Sequence, residues 1–474
     1  MRYAITAIMT AVLLAMAAAC GRGEGATPTS TANSRAPQPL AAAPEGVLLV
    51  QEKEPTRTFV LEGDDVRQLS KGPWLKVSPD GQLAALVEAD DETGRWLVRI
   101  VDAQGEQVFE AKAPKGSTLS GSPQPELAWS PDGRRLAYAL PDRDDGKLSR
   151  VYTVAADGSD PRQVSEAAGH YSLIGWAGDA VLAGEWADDP STTSEARLLV
   201  LETGVRELAV PAEAFQFWSF APSPDGRRVA FYAGSPEAME VWVAETESGQ
   251  ARKVASAGVA RRPGAGLYVS ARAPLGVETP APAKMQGPPP LAWSPDGRRI
   301  AYTRSLSSAG GESSDGELWV VDIESGEDVR VAPESSWATS WSPDGRYLVE
   351  TGSGKLKLIG ANGIVRDVDV FATAASWSPG GKLVAGSEIG TYVVEPDTGA
   401  AREVRRPDGK ALGTSGLAAW SPSGRYVAVS DPWGATDWSL YVVDLETAQA
   451  RVLLEGGGFW PVAWMRLSSD EGTD

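Results

Sequence analysis

The sequence predicts an all-β fold, a single β-propeller of four-stranded blades, from three observations. A turn phrase of the Ser-Pro-Asp-Gly type recurs along the chain at the spacing of a propeller blade. The 474 residues include 51 Gly, 34 Pro and 17 Trp, a composition typical of β-proteins rich in tight turns. The first and last strand-like segments complete one another. Together these observations favour one closed ring of eight or nine blades, and nine by repeat count.

The N-terminal segment has the pattern of an export signal. Arg2 precedes the apolar residues 4–19, a stretch that is short for a membrane span and ends in small residues. Cys20, the only cysteine of the chain, follows at once. The segment resembles a bacterial lipoprotein signal, with Ala17 where Leu is usual. The resemblance implies cleavage after residue 19, lipid attachment at Cys20, and a membrane-anchored location in the cell envelope, on the periplasmic or extracellular side. An ordinary signal peptide with an accidental cysteine is the alternative.

The remaining boundaries follow from composition. Residues 20–46 are rich in Gly, Ala, Pro, Ser and Thr and predict a flexible tether between the lipid and the folded body. The propeller is predicted over 47–468, and 469–474 form a short tail.

Nine repeat units are counted from the residue that leads each turn phrase. Full or weaker copies of the phrase are preceded by Val77, Trp129, Pro222, Trp293, Trp341, Trp377 and Trp420, and degenerate ones begin at Trp176 and Trp464. Successive leading residues are 36 to 71 positions apart, and most are 43 to 52 apart. That period indicates one propeller blade per unit.

The turn phrase joins the first two strands of each unit for reasons of local chemistry. Pro presets φ at the first central position, Asp tolerates the second, and Gly accepts positive φ where the next strand begins. Ser is expected to hydrogen-bond the turn backbone. The leading Trp is large and flat, which suits packing between adjacent blades.

The chain ends predict how the ring closes. Residues 47–70 match strands two, three and four of a unit without a first strand, and 461–465 match a first strand alone. Pairing them completes one blade and removes two open sheet edges.

These repeats resemble the propeller repeats of TolB and its relatives, over roughly residues 47–468. In that family the WSPDG-type phrase links the first two strands of each blade. The resemblance implies the fold, because the matching residues are turn and packing residues. The α/β domain that precedes the TolB propeller has no counterpart here, so roles that depend on that domain do not carry over.

Composition excludes several kinds of site. The formal net charge of −19 disfavours binding of nucleic acid, whose phosphates it repels. With His170 as the only histidine, a site that needs two histidines is impossible. No nucleophile motif of the Gly-x-Ser-x-Gly type occurs, so no catalytic residue, resident metal or cofactor is predicted.

Aromatic residues near the starts of several first strands form the candidate binding site. Each lies four to seven residues before the Ser position of its turn, where the connections gather around the central channel. The candidate ligand-binding residues are Trp74, Tyr171, Phe217, Trp337, Phe371 and Trp460. An aromatic funnel of this kind suits a peptide or a glycan, whereas packing between blades is the competing interpretation.

Two further segments bear on function. Residues 257–290 are predicted to be an insertion between a fourth strand and the next first strand, serving as a lid, as a partner-binding arm or as a disordered loop. The alternating carboxylates of 142–146 suggest calcium, with a solvated hairpin tip as the alternative.

The leading functional hypothesis is a monomeric, non-catalytic, lipid-anchored scaffold that binds an envelope protein, a peptide or a glycan. The alternative is a propeller enzyme, a hydrolase or lyase, that uses carboxylates at the channel mouth, with calcium as a possible cofactor.

Overall fold

The computed structural model describes most of the chain from residue 44 to residue 466. The described residues are 44–52, 57–72, 74–90, 92–114, 126–141, 148–186, 196–201, 204–208, 216–235, 238–258, 291–305, 316–335, 338–351, 355–360, 363–414, 418–431, 438–455 and 458–466. Every regular element among them is a β-strand. No helix in this part of the chain has the length and apolar character needed to cross a bilayer.

The strands are numbered along the chain. The first three are β1 (Val47–Glu52), β2 (Arg57–Glu62) and β3 (Asp65–Ser70). Blade 1 comprises β4 (Trp74–Val77), β5 (Leu83–Ala89), β6 (Trp96–Asp102) and β7 (Gln107–Lys112). Blade 2 comprises β8 (Glu126–Trp129), β9 (Arg135–Pro141), β10 (Ser149–Ala155) and β11 (Arg162–Gln163). Blade 3 comprises β12 (His170–Ala177), β13 (Ala180–Trp186), β14 (Ala196–Leu201) and β15 (Val205–Glu207).

The middle blades follow the same order. Blade 4 comprises β16 (Gln216–Pro222), β17 (Arg228–Ser235), β18 (Ala238–Glu245) and β19 (Ala251–Gly258). Blade 5 comprises β20 (Ala292–Trp293), β21 (Arg299–Ser305), β22 (Gly316–Asp322) and β23 (Asp328–Ser335). Blade 6 comprises β24 (Ala338–Trp341), β25 (Tyr347–Thr351), β26 (Leu356–Gly360) and β27 (Val365–Val368).

The last blades complete the ring. Blade 7 comprises β28 (Ala374–Trp377), β29 (Leu383–Ser387), β30 (Gly390–Glu395) and β31 (Ala400–Glu403). Blade 8 comprises β32 (Ala418–Trp420), β33 (Tyr426–Asp431), β34 (Ser439–Asp444) and β35 (Gln449–Leu454). Blade 9 is formed by β36 (Phe459–Met465) with β1, β2 and β3.

The sheet topology confirms the propeller and fixes the blade number at nine. Seven sheets have four strands, and one eight-stranded sheet combines blades 4 and 5 through a parallel pair at Gly258 and Ser305. Neighbouring strands within each blade are antiparallel. The first strands of consecutive blades contact one another, which places them around the central channel.

Antiparallel order gives the ring two distinct faces. The turns between strands one and two, and those between three and four, lie on one face, which we call the turn face. The hairpins between strands two and three, and the connections to the next blade, lie on the opposite face, which we call the loop face.

The Ser-Pro-Asp-Gly turns are held by their own side chains, as the sequence indicates for Ser and Gly. In all five turns the Ser hydroxyl donates to the Asp carboxylate two residues later at 2.5–2.6 Å. That carboxylate accepts the amide of the residue after Gly at 3.0–3.1 Å. The Gly residues have φ between 67° and 78°, a conformation that disfavours other residues.

The leading tryptophans lie between blades, and five of the seven share one contact with the preceding blade. In these five the indole N–H donates to the carbonyl of the residue just before the previous leading residue, whereas Trp420 donates to the Ser376 hydroxyl and Trp464 to the carbonyl of Glu45. These bonds run from Trp129 to Lys76 (2.9 Å), Trp176 to Ala128 (2.9 Å), Trp293 to Ala221 (2.7 Å), Trp341 to Ala292 (3.1 Å) and Trp377 to Ser340 (3.4 Å). A buried indole keeps its polar atom satisfied in this way, so the repeat encodes blade docking as well as the turn.

The ring closes where the sequence predicts. Strand β1 pairs with β36 in antiparallel register from Val47 opposite Met465 to Glu52 opposite Phe459. The Arg466 amide donates to the carbonyl of Gly81 in blade 1 at 2.8 Å.

A second closing contact comes from the residue before the first strand. The Glu45 carboxylate accepts the amide and hydroxyl of Ser423 at 3.1 and 2.8 Å. Ser423 occupies the position that Asp has in the full turn phrase, so Glu45 supplies to the eighth turn the carboxylate that its own sequence lacks.

Candidate functional site

The structure places the six predicted aromatics in different environments. Tyr171 is 6% exposed and belongs to the core between blades 2 and 3. Trp74 is half-buried and packs edge-on against Trp96, with ring centroids 5.2 Å apart. Trp460 is also half-buried, and its indole donates to the Gln51 side chain at 3.2 Å.

Of the other three predicted aromatics, only Phe371 has a described side chain. Phe371 is 49% exposed on the connection that enters blade 7. The backbone of Phe217 lies in β16, but its side chain falls outside the described residues, as does Trp337 entirely. The ligand-binding role of the set stays a prediction, and Phe371 is the member that the described structure leaves open to solvent.

A second exposed apolar residue, which no sequence pattern indicates, accompanies Phe371. Ile389, 61% exposed, lies in the hairpin between β29 and β30. The Thr373 amide donates to the carbonyl of Gly386 at 2.9 Å, which holds the segment after Phe371 beside the end of β29. Phe371 and Ile389 therefore leave blade 7 at the same end, on the loop face. No motif marks Ile389, because a single apolar residue in a hairpin is common.

Charged side chains on the first strands form a separate group at the channel. Among the nine first strands, ionisable groups other than Tyr171 occur at Lys76, Glu126 and His170, which belong to the consecutive blades 1, 2 and 3. In the other six first strands the residues are apolar, small or neutral. One feature of the sequence could have indicated this group. The first strands of blades 1 to 3 contain an ionisable residue other than tyrosine, whereas the other six first strands contain none.

Glu126 connects blade 2 to blade 3. Its carboxylate accepts the Ser172 hydroxyl at 3.1 Å and the Leu173 amide. Burial raises the pKa of Glu126, whereas the two hydrogen bonds and the charge of Lys76 oppose that shift. The carboxyl group therefore keeps its proton to a higher pH than an exposed glutamate does.

Lys76 lies two residues before Ser78, where the first turn begins, and is exposed to solvent in the channel. The protein around the channel still withdraws enough water to lower the pKa of Lys76, and the negative charge of Glu126 partly offsets this effect. Among the described residues, no acceptor lies within hydrogen-bond distance of its ammonium group.

Glu126→Gln should abolish a loss of stability that accompanies rising pH. Because the folded state holds the Glu126 proton more tightly, the free energy of unfolding falls as the pH rises from about 4.5, the ordinary pKa of the group, to its raised pKa in the folded state. The contribution of the Glu126 proton to the free energy of unfolding is fully present below this pH range and is lost above it. Urea unfolding of both proteins from about pH 4 to about pH 7 measures the difference.

The same substitution at the exposed Glu446 controls for the loss of one negative charge. A wild-type stability profile that runs parallel to that of Glu126→Gln would contradict the assignment.

The acidic segments give no metal site in the part of the chain that is described. Asp90 accepts the Lys112 ammonium at 2.8 Å and the amide of Thr93 at 2.8 Å, and the bond from Lys112 is the main cause of its strongly lowered pKa. No group of three or more His, Cys, Asp or Glu side chains that could hold an ion occurs among the described residues. The calcium candidate 142–146 lies outside the described residues, so the enzymatic alternative stays a prediction.

Other predictions also fall largely outside the described residues. They comprise the signal 1–19, Cys20, the tether up to residue 43, and the tail 469–474. Strand β19 continues to Gly258, so the first two residues of the predicted insertion 257–290 belong to the fourth strand of blade 4.

No family model matches the chain, and no curated protein matches it. Among solved structures it is similar to TolB from Acinetobacter baumannii, with 13% identity, a TM-score of 0.30, and coverage of 81% of this chain and 82% of that one. It is also similar to the dihydro-heme d1 dehydrogenase NirN, with 18% identity, a TM-score of 0.49, and coverage of 94% and 80%. It is similar as well to an oligogalacturonate lyase in complex with manganese. The identity is 13%, the TM-score is 0.40, and the alignment covers 79% of this chain and 99% of that one. These similarities concern the propeller fold alone.

Proposed function

We propose that this β-propeller is a non-catalytic, lipid-anchored scaffold of the cell envelope that binds a protein or peptide on its loop face. The observation that carries the proposal is the pair Phe371 and Ile389, 49% and 61% exposed at the same end of blade 7. Three of the other predicted aromatics are wholly or partly buried.

The chemistry of the pair favours a peptide over a glycan. A sugar ring stacks on a flat aromatic surface, whereas an aliphatic residue beside a phenyl ring suits an apolar side chain of a partner. Exposed apolar residues that lie together on one surface are typical of interaction sites.

A photoreactive phenylalanine analogue at position 371 tests the binding face. We expect it to cross-link a partner in cells, and we expect Ile389→Ser in the same protein to reduce the adduct. The matched control carries the analogue at Ile364, which is 63% exposed but lies on the turn face in blade 6.

The adduct itself distinguishes the outcomes. An adduct that yields peptides of a second protein by mass spectrometry supports the proposal, and one whose added mass glycosidases remove contradicts the peptide assignment. Equal labelling from positions 371 and 364, or none from either, would contradict a binding role for the loop face.

The anchor is tested separately, so that its failure is distinct from failure of the binding face. We expect a clickable palmitate analogue to label the protein and Cys20→Ser to abolish that label, because Cys20 is the only thiol. The variant should also leave the membrane fraction. Continued membrane association of Cys20→Ser would contradict lipidation.

A further inference from the structure

Lys76 is the only lysine or arginine in the nine first strands, all of which belong to the described residues. Trp74 and Lys76 lie on the same side of β4, and Trp74 packs into the core between blades 1 and 2. The side chain of Lys76 is accordingly directed toward blade 2, at the wall of the channel. Lys76 belongs to a β-strand and not to a surface loop, so the strand fixes the position of its backbone.

The ammonium group of Lys76 lacks a partner within the described structure. No carboxylate there lies within 4.0 Å of it, and no acceptor completes a hydrogen bond. The nearby Glu126 is engaged by Ser172 and by the Leu173 amide of blade 3. A cation in a partly desolvated place without a bonded acceptor is incompletely satisfied, which favours an external anion.

The charge around the site selects the kind of anion. The chain carries a formal net charge of −19, which repels multivalent anions most strongly. Glu126, the one described group whose charge acts appreciably on Lys76, adds to that repulsion whenever it is ionised. A monovalent carboxylate meets less of this repulsion than a phosphate dianion and still provides two acceptor oxygens.

We propose that the channel binds a carboxylate group of a small ligand or of a peptide at Lys76. The site lies on blades 1 and 2, far along the ring from the blade-7 pair, and it does not depend on the loop-face proposal. A bound carboxylate stabilises the ammonium form, so binding should raise the pKa of Lys76.

The test uses acetate and inorganic phosphate as probes, at constant ionic strength adjusted with chloride. Line broadening of ¹³C-acetate reports binding, and ¹³C-dimethylation of the lysines reports the Lys76 pKa directly. We expect acetate to raise that pKa. We expect Lys76→Met to weaken acetate binding roughly 10-fold or more, as loss of a charge-assisted hydrogen bond implies.

Two further variants keep the outcome interpretable. Lys76→Arg retains the charge and should retain acetate binding, and an unchanged thermal unfolding transition of Lys76→Met shows that its loss of binding is not a folding defect. Lys410→Met removes a lysine whose side chain is 73% exposed, beside Asp408, and should leave acetate binding unchanged.

Acetate broadening that is equal in wild type and Lys76→Met would overturn the proposal. Phosphate that binds at Lys76 as tightly as acetate, or more tightly, would overturn the assignment to a carboxylate.

Discussion

A chain that ends at Gly458, and so lacks β36, should lose its cooperative unfolding transition and aggregate. Strand β1 would lose its partner along the whole register from Val47 to Glu52. The core at the closure would also lose Val462 and Met465, which are 6% and 0% exposed. Each buried apolar side chain contributes about 1.5–3 kcal/mol, and an unpaired strand edge promotes association. Size-exclusion chromatography and thermal unfolding measure both effects.

The matched control ends at Arg466 and keeps both β36 and the contact with Gly81. A second control tests the register itself. Leu49→Cys with Ala463→Cys, in a Cys20→Ser background, should form a disulfide under mild oxidation, because those residues are opposite one another. A Gly458-truncated protein that stays monomeric with an unchanged transition would show that closure by β36 is dispensable.

Arg406→Met should lower the free energy of unfolding by about 3 kcal/mol, the typical cost of leaving a buried charge without its ion-pair partner. The Arg406 guanidinium contacts the Asp431 carboxylate at 3.1 Å, and the Asp431 side chain is 3% exposed. Arg406 lies in a short hairpin on the connection from blade 7 to blade 8. The hairpin is flanked by Val404 and Leu412, both fully buried in the core between those blades. Urea unfolding provides the measurement.

The neighbouring arginine provides a control for this prediction. Arg405 pairs with Glu403, but its side chain is 55% exposed, so Arg405→Met should cost less than about 1 kcal/mol. Combining Arg406→Met with Asp431→Asn should restore much of the loss, because the second change removes the buried charge. Equal effects of Arg405→Met and Arg406→Met would argue against an important buried pair.

The fold was predictable because its signals are local. Each Ser-Pro-Asp-Gly phrase carries the groups that build its own turn, so the spacing of the phrases counts the blades even where Trp176 and Trp464 begin degenerate copies. The closure was predictable because the two partial units add up to one blade. Glu45 was not predictable in its role, because the residue that it completes, Ser423, is 378 positions away.

The candidate sites were less predictable, for a physical reason. An aromatic residue near the start of a first strand has the same sequence pattern whether it faces the channel, a neighbouring blade or solvent. A bulge in β12 between Leu173 and Gly175 shifts the register there, and Tyr171 is buried while Phe371 is exposed. Lys76 and Glu126 similarly have no sequence pattern that separates them from ordinary polar residues. Their position at the channel follows only from the ring, which places first strands at its centre.

The closure has a mechanical consequence under the N-terminal anchor proposed above. Tension from an upstream attachment enters the ring at Glu45, on the turn face, and passes into β1. That strand is bonded along its length to β2 on one side and to β36 on the other. Force on the N-terminal segment therefore acts on two sets of strand–strand hydrogen bonds at once. A strand at the edge of a sheet, with one partner only, would separate more easily. The loop face with Phe371 and Ile389 stays on the side of the ring opposite the point of pull.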